Sequence, residues 1–202
     1  MLHCDRIFVE GSFDKTLLEK LISYNVEIEA SGGKSNIINK FKTIKSISSP
    51  LQKGNICFIV DGDEEGYDSI FNSLKNEFDD LVKDPPYIKK CVEDLCYVLV
   101  VMGEEKDNYK GCIESILLKE LSKKIDIDIE RIVNSVIEYE TRRRKMNLKL
   151  CDKDKIRFYL SIFLLSDDPT TLYLTKNFTD ELLKILDKNK IKEIYRKFIE
   201  IK

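Results

Sequence analysis

Short apolar runs alternate with longer amphipathic stretches through the first hundred residues. The short runs are rich in β-branched and aromatic residues, whereas the stretches between them repeat apolar side chains at helical spacing. The predicted strands cover residues 6–10, 26–30, 56–60 and 96–102, and the predicted helices between them cover about 13–24, 35–45 and 65–81. This alternation predicts βαβ units and a mostly parallel sheet.

The third and fourth predicted strands are uninterrupted apolar runs, which is typical of strands covered on both faces. We therefore predict an α/β fold with a doubly wound, mostly parallel, Rossmann-like sheet of strand order 2-1-3-4. Beyond residue 110 the pattern predicts helices at about 112–124, 128–147, 153–166, 179–187 and 190–200, with 171–174 as a candidate extended piece. We predict an α/β domain over 1–110 and a helical extension over 111–202 that packs on it.

The composition narrows the chemistry that this chain can perform. Its 202 residues include 34 Lys+Arg, 36 Asp+Glu and a single histidine, His3, which argues against a Ser-His-Asp triad and excludes histidine-rich metal sites. The six cysteines contain no Cys-x-x-Cys pair, which argues against a structural zinc site. We expect Cys57 and Cys96, inside apolar runs, to be buried reduced thiols. Carboxylates, lysines and a bound metal ion would have to perform most of any catalysis.

The apolar runs are too short to span a bilayer, and residues 1–6 lack the apolar stretch of a signal peptide. We therefore expect a cytoplasmic protein with no membrane partner. The sequence leaves the oligomeric state open, with a homodimer as one candidate.

Charge is unevenly distributed along the chain. Residues 1–102 carry 17 acids and 12 bases, whereas residues 103–202 carry 19 acids and 22 bases. One dense basic patch, Arg142, Arg143, Arg144 and Lys145, lies near the end of a predicted helix. Basic residues there stabilise the negative end of the helix dipole. The alternative is contact with a nucleic-acid backbone, which makes nucleic acid the expected partner.

Three acids follow strands that the predicted order makes neighbours. Glu10 ends the first strand before Gly11, and Asp61 and Asp63 follow the third. Ligands of a doubly wound sheet bind beyond the carboxyl ends of its strands, where the strand order reverses. Like charges gathered there favour a divalent cation, and oxygen ligands favour Mg²⁺ or Mn²⁺. The alternative is that these acids only form turns or caps.

The order of these motifs resembles that of a known domain. Val9-Glu10-Gly11, then Asp14, a βαβ unit and Asp61-x-Asp63-x-x-Gly66 at a strand end resemble the TOPRIM domain. That domain occurs in topoisomerases, bacterial primases, recombination mediators, overcoming-lysogenization-defect (OLD) nucleases and small ribosomal-RNA maturases. The resemblance covers roughly residues 5–102, and the whole chain resembles small stand-alone TOPRIM-like proteins of unassigned function.

The resemblance implies that Glu10 is a general acid/base or a metal ligand, and that Asp61 and Asp63 hold Mg²⁺. Glu114 resembles the acid that opens the helix after the strand in OLD-type domains and would complete a second metal site. It is equally an ordinary acid in the first turn of a helix. The implied function is metal-dependent hydrolysis of phosphodiesters in DNA or RNA. The alternative is a non-catalytic module that binds Mg²⁺ and a nucleotide or nucleic acid.

A glycine-rich segment, Ser31-Gly32-Gly33-Lys34-Ser35, follows a strand and opens a helix. It is not a Walker A motif, because that motif requires glycine where this chain has Ile28. Two interpretations remain: Gly33 and Lys34 bind a substrate phosphate at the helix N-terminus, or the segment is a turn and helix cap.

Overall fold

The computed structural model describes residues 2–43, 53–125, 129–145, 155 and 176–201. They belong to two compact units, one formed by residues 1–113 and 189–202 and the other by residues 114–188. Apart from Lys155, the predicted helix at 153–166 and the extended piece at 171–174 lie outside the described residues. The packing of a helical extension on the sheet stays a prediction.

Six strands and seven α-helices lie within the described residues. The strands are β1 Arg6–Val9, β2 Glu27–Ala30, β3 Gly54–Asp61, β4 Val82–Asp84, β5 Tyr87–Val92 and β6 Leu95–Met102. The helices are α1 Ser12–Leu21, α2 Lys34–Lys42, α3 Gly66–Lys75, α4 Ile113–Ile125, α5 Ile129–Arg144, α6 Lys176–Ile185 and α7 Lys188–Tyr195. None of these helices has the length and apolar character needed to cross a membrane.

The six strands form one sheet with the order β2-β1-β3-β6-β5-β4. The α/β class and the mostly parallel sheet are confirmed, because β2, β1, β3 and β6 pair in parallel. These are the four predicted strands, in their predicted order. The full order differs from the prediction because β4 and β5 extend the sheet with antiparallel pairs. Residues 82–92 were not predicted as strands, since Pro85 and Pro86 indicated only a break.

Apolar side chains cover both faces of the central strands. On one face, Phe58 of β3 belongs to a buried cluster that includes Phe41 of α2 and Phe71 of α3. The residues next to Phe58, Cys57 and Ile59, point to the other face and are also buried. Burial on both faces of the sheet explains why the sequences of β3 and β6 are continuous apolar runs.

The expectation of reduced thiols is wrong for Cys57 and Cys96. Disulfides join Cys4 to Cys57 and Cys91 to Cys96. Cys91 of β5 and Cys96 of β6 lie directly opposite each other, because these two antiparallel strands are joined by a hairpin turn. Sequence spacing did not indicate either pair, because each depends on strand neighbours that only the folded sheet defines.

The segment after α7 completes the sheet unit. The backbone N–H of Glu200 donates to the carbonyl oxygen of Leu2 at 2.7 Å. The Tyr87 hydroxyl in β5 donates to the carbonyl oxygen of Phe198 at 2.8 Å. Residues 189–202 therefore belong with the sheet although residues 114–188 precede them in the chain.

Candidate functional site

Glu10 and Asp61 meet at the carboxyl ends of β1 and β3. The backbone N–H of Asp61 donates to Oε1 of Glu10 at 2.8 Å. The Asp61 side chain is buried, and its Oδ1 accepts a hydrogen bond from the backbone N–H of Ile113 at 3.1 Å. The parallel pairing of β1 with β3 produces this arrangement, because it brings both strand ends to one edge of the sheet.

A small cavity opens beside these two acids. The residues that line it include three acids, Glu10, Asp14 and Asp61, together with others that include Leu18 of α1 and Tyr195 of α7. The cavity has room for about one water molecule, and its accessible lining is mostly apolar. A nucleotide is far larger, so any substrate would have to lie outside this cavity.

Asp14 owes its position to the start of α1. Gly11 precedes the first helical residue in an extended conformation, and its N–H donates to Oδ2 of Asp14 at 3.0 Å. This bond satisfies a backbone donor at the helix start, where no intrahelical partner exists. The turn that ends β1 therefore holds Glu10 and Asp14 on the same side of the sheet edge.

The Asp63 side chain forms an ion pair with Lys34. Its side chain is half exposed, and its Oδ2 accepts a hydrogen bond from Nζ of Lys34 at 3.1 Å. The same ammonium lies 2.9 Å from Oε2 of Glu65. Burial alone would lower the pKa of Lys34, but the bonds to Glu65 and Asp63 outweigh it and raise that pKa above its ordinary value.

Gly33, the other predicted phosphate-binding residue, donates its N–H to the carbonyl oxygen of Glu10 at 2.8 Å. Its φ of 118° is a conformation that glycine adopts without strain. The turn before α2 is therefore attached to the end of β1. A phosphate-binding role for Gly33 and Lys34 stays a prediction.

The connection between β6 and α4 packs closely on the end of β3. The N–H of Asp63 donates to the carbonyl oxygen of Gly111 at 2.8 Å, and the N–H of Gly111 donates back at 2.7 Å. A Cβ atom at Gly62 or Gly103 would lie only 1.7 or 2.1 Å from the carbonyl oxygen of Tyr109. Two glycines thus permit the approach that brings the N–H of Ile113 to Asp61.

A group of side chains that could hold a metal ion lies where this connection ends. Among the described residues, Asp61, Cys112 and Glu114 each offer a ligand atom, and these atoms lie within 4.8 Å of one another. Asp61 and Glu114 are buried, and Cys112 is partly buried. Neither Glu10 nor Asp63 belongs to this group. Sequence analysis missed Cys112, whose only signal is its place two residues before Glu114.

The basic patch is exposed, with Arg142, Arg143 and Arg144 in the last turn of α5 and Lys145 directly after it. The Glu140 carboxylate accepts hydrogen bonds from Nε of Arg143 at 3.0 Å and from Nε of Arg144 at 2.7 Å. A guanidinium nitrogen of Arg142 lies 3.6 Å from Oε2 of Glu138. The hydrogen bonds from Arg143 and Arg144 hold the pKa of Glu140 at about 2. Acids of the same helix therefore offset much of the charge of this patch, as in ordinary helix ion pairs.

The comparisons with known proteins add a family and a fold. A family model described as a protein of unknown function, DUF3226, matches residues 5–198. The chain belongs to the DUF3226 family. No curated protein matches it. Among solved structures, this DUF3226 protein is similar to a hypothetical protein from Pyrococcus horikoshii OT3, with 17% identity and a TM-score of 0.55. The match covers 97% of this chain and 95% of the other, and it supports the fold alone.

Proposed function

We propose that this protein is a metal-dependent phosphodiesterase of the TOPRIM-like kind that acts on DNA or RNA. The observation that carries the proposal is the cavity lined by Glu10, Asp14 and Asp61 at the carboxyl ends of two central parallel strands. Acids concentrated at this edge are expected where a sheet of this type binds a cation and a phosphorylated ligand.

The side chains near Asp61 fit Mg²⁺ or Mn²⁺ through their carboxylates. Asp61 and Glu114 would hold the ion, since hard oxygen ligands suit both metals. Two neighbouring buried carboxylates also repel each other, so a cation would stabilise them. The sulfur of Cys112 is a softer ligand, and we do not assign it to Mg²⁺. When bound, the metal would neutralise charge on the non-bridging oxygens of the phosphate.

The protein's own residues would orient and deprotonate the attacking water. The N–H of Asp61 fixes the Glu10 carboxylate, and Glu10 is one of the residues that line the small cavity. In this proposal Glu10 would accept a proton from a water at this edge of the sheet, as a general base. Asp61 is in turn fixed by the N–H of Ile113. No histidine and no protein nucleophile are needed for this hydrolysis.

A nuclease assay tests the proposal. Purified protein is incubated with labelled single- and double-stranded DNA and RNA, with Mg²⁺ or Mn²⁺ and then with a chelator. We expect metal-dependent cleavage that falls about 100-fold or more in Glu10→Gln and Asp61→Asn, as when a general base is lost. Asp84→Asn is the matched control, because this acid lies on edge strand β4 and pairs with Lys89. Equal cleavage by wild type and both site variants would refute the assignment.

The second candidate function is a module that binds Mg²⁺ and a nucleotide or nucleic acid without turnover. The ion pairs that offset the charge of Arg142, Arg143 and Arg144 favour such a module with a nucleotide as its ligand, because tight nucleic-acid binding depends on unneutralised basic residues. Calorimetry separates the two functions. Metal binding that is lost in Asp61→Asn, together with no cleavage of any substrate, would favour the module.

A further inference from the structure

Four half-cystines form a row across one face of the central sheet. Cys4 lies just before β1, Cys57 lies in β3, Cys96 in β6 and Cys91 in β5, and these strands are neighbours in that order. Cys57 is the register partner of Val98, which points to the same face as Cys96, and Cys96 is the register partner of Cys91. The row therefore consists of two neighbouring disulfides, Cys4–Cys57 and Cys91–Cys96.

The two disulfides differ in their access to solvent. Cys4 and Cys57 are completely buried, with 0% exposure each. Cys91 is exposed and Cys96 is partly buried, and both flank the turn of the β5–β6 hairpin, where Val92 is 54% exposed. A thiolate in solution can reach an exposed disulfide directly, whereas a buried disulfide reacts only after the structure around it opens.

The folded sheet should tolerate the opening of Cys91–Cys96. Its cysteines are 5 residues apart in the sequence, whereas those of the buried disulfide are 53 apart. A short loop restricts the unfolded chain less, so its closure contributes less to stability. The hairpin is also held by the pairing of β5 with β6, and by the hydrogen bond from the N–H of Gly54 to the carbonyl oxygen of Asp94 at 2.9 Å. Both thiols should therefore stay opposite each other after the disulfide opens.

We propose that Cys91–Cys96 is a thiol–disulfide exchange site that reacts with a low-molecular-weight thiol such as glutathione while the protein stays folded. A glutathione thiolate attacks Sγ of Cys91, the more exposed residue, and the bond to Cys96 breaks as the new S–S bond forms. Cys96 leaves as a thiolate and takes up a proton. The inference does not depend on the proposed metal site.

A second glutathione completes the reduction. Its thiolate attacks the glutathione sulfur of the mixed disulfide, forms glutathione disulfide and releases the Cys91 thiolate, which is protonated in turn. The protein disulfide thus gains the two electrons and two protons that the two glutathione thiols lose. The sheet register favours the reverse step, because a Cys96 thiolate opposite Cys91 can attack the mixed disulfide and expel glutathione.

A time course with the wild-type full chain compares the two disulfides. The protein is incubated with reduced glutathione, samples are quenched with an alkylating reagent, and mass spectrometry follows each cysteine. We expect Cys91 and Cys96 to be alkylated at least about tenfold faster than Cys4 and Cys57, with an unchanged circular dichroism spectrum.

Three outcomes of this time course would overturn the inference. These are equal rates for the two disulfides, faster opening of Cys4–Cys57, and loss of the folded spectrum when Cys91–Cys96 opens. If the purified protein carries Cys91 and Cys96 as thiols, excess oxidised glutathione should close the disulfide. Failure to close it would overturn the inference as well.

Two matched variants test which sulfur is attacked. In Cys96→Ser, the remaining Cys91 thiol should form a stable mixed disulfide with oxidised glutathione, detected as the added mass of one glutathione on that residue. In Cys91→Ser, the partly buried Cys96 thiol should react severalfold more slowly. Equal or faster reaction at Cys96 would contradict the assignment of Cys91 as the site of attack.

Discussion

A single added methyl group at Gly62 tests the packing beside the candidate site. A Cβ atom there would lie 1.7 Å from the carbonyl oxygen of Tyr109 and 2.8 Å from its carbonyl carbon. Both are backbone atoms, which cannot swing aside as the end of a side chain can. The φ of Gly62 lies outside the left-handed region. Gly62→Ala therefore tests the close approach of two backbone segments and not the conformational freedom of glycine.

The size of the effect follows from the displacement that the methyl group forces. Cβ atoms do not approach other heavy atoms closer than 3.0 Å, so the segments must separate by about 1.3 Å. That movement would break the two hydrogen bonds between Asp63 and Gly111, and the bond from the N–H of Tyr67 to the carbonyl oxygen of Asn108. At about 1 kcal/mol each, the three bonds together contribute about 3 kcal/mol.

Urea denaturation measures this loss. We expect Gly62→Ala to reduce the free energy of unfolding by about 3 kcal/mol or more, a large share of ordinary protein stability. Gly11→Ala is the control, because Gly11 has a φ of −130° and its Cβ would meet its nearest neighbour, Oδ2 of Asp14, at 3.4 Å. It should change stability by less than about 1 kcal/mol. A Gly62→Ala protein within 0.5 kcal/mol of wild type, roughly the effect of an ordinary surface substitution, would refute the reasoning.

Three further predictions address the core and the titrating groups. Burial raises the pKa of Tyr67 to about 12, so stability should fall as pH rises from about 10 to 12, where the unfolded tyrosine is deprotonated first. Tyr67→Phe should remove the step near pH 12 from an absorbance titration of tyrosine. The variant also loses the hydrogen bond to the Tyr87 carbonyl oxygen, which should lower the free energy of unfolding by about 1 kcal/mol. Because the pKa of Glu140 is held at about 2, the stability that its ion pairs contribute should be present above pH 4.5 and lost as the pH falls towards 2. NMR titration should show this midpoint rising in Arg143→Ala, and an ordinary midpoint in wild type would contradict it. Phe58→Ala should lower the free energy of unfolding, measured by urea denaturation, by about 3–5 kcal/mol. A decrease below about 1 kcal/mol would contradict the central place of Phe58 in the core.

The parallel core of the fold could be predicted from the sequence because its strands are buried on both faces. Residues 56–60 and 96–102 carry no charged side chain to interrupt the apolar pattern. The two antiparallel strands, β4 and β5, were missed for the opposite reason. β4 is exposed throughout, and β5 carries Lys89 and Lys90. Their pattern resembles a loop until the pairing of β5 with β6 and of β4 with β5 is known.

The candidate site could be predicted only as far as strand ends determine it. Glu10 and Asp61 meet because parallel neighbours end at the same edge of a sheet. Asp63 is two residues further along, where a left-handed turn and the Lys34 ammonium fix it. Neither of these is visible in the spacing of Asp61 and Asp63. The position of Cys112 depends on the approach of the β6–α4 connection to Gly62 and Gly103, which is a matter of tertiary packing.

The return of residues 189–201 to the sheet unit sets an order of events during synthesis. All six strands leave the ribosome before residues 114–188, but the bonds from Glu200 to Leu2 and from Tyr87 to Phe198 can form only afterwards. Chains otherwise begin to fold from the N-terminal side as they emerge. Tyr195 also lines the cavity beside Glu10. The nascent protein therefore completes the lining of this cavity last, after every acid of the candidate site has been synthesised.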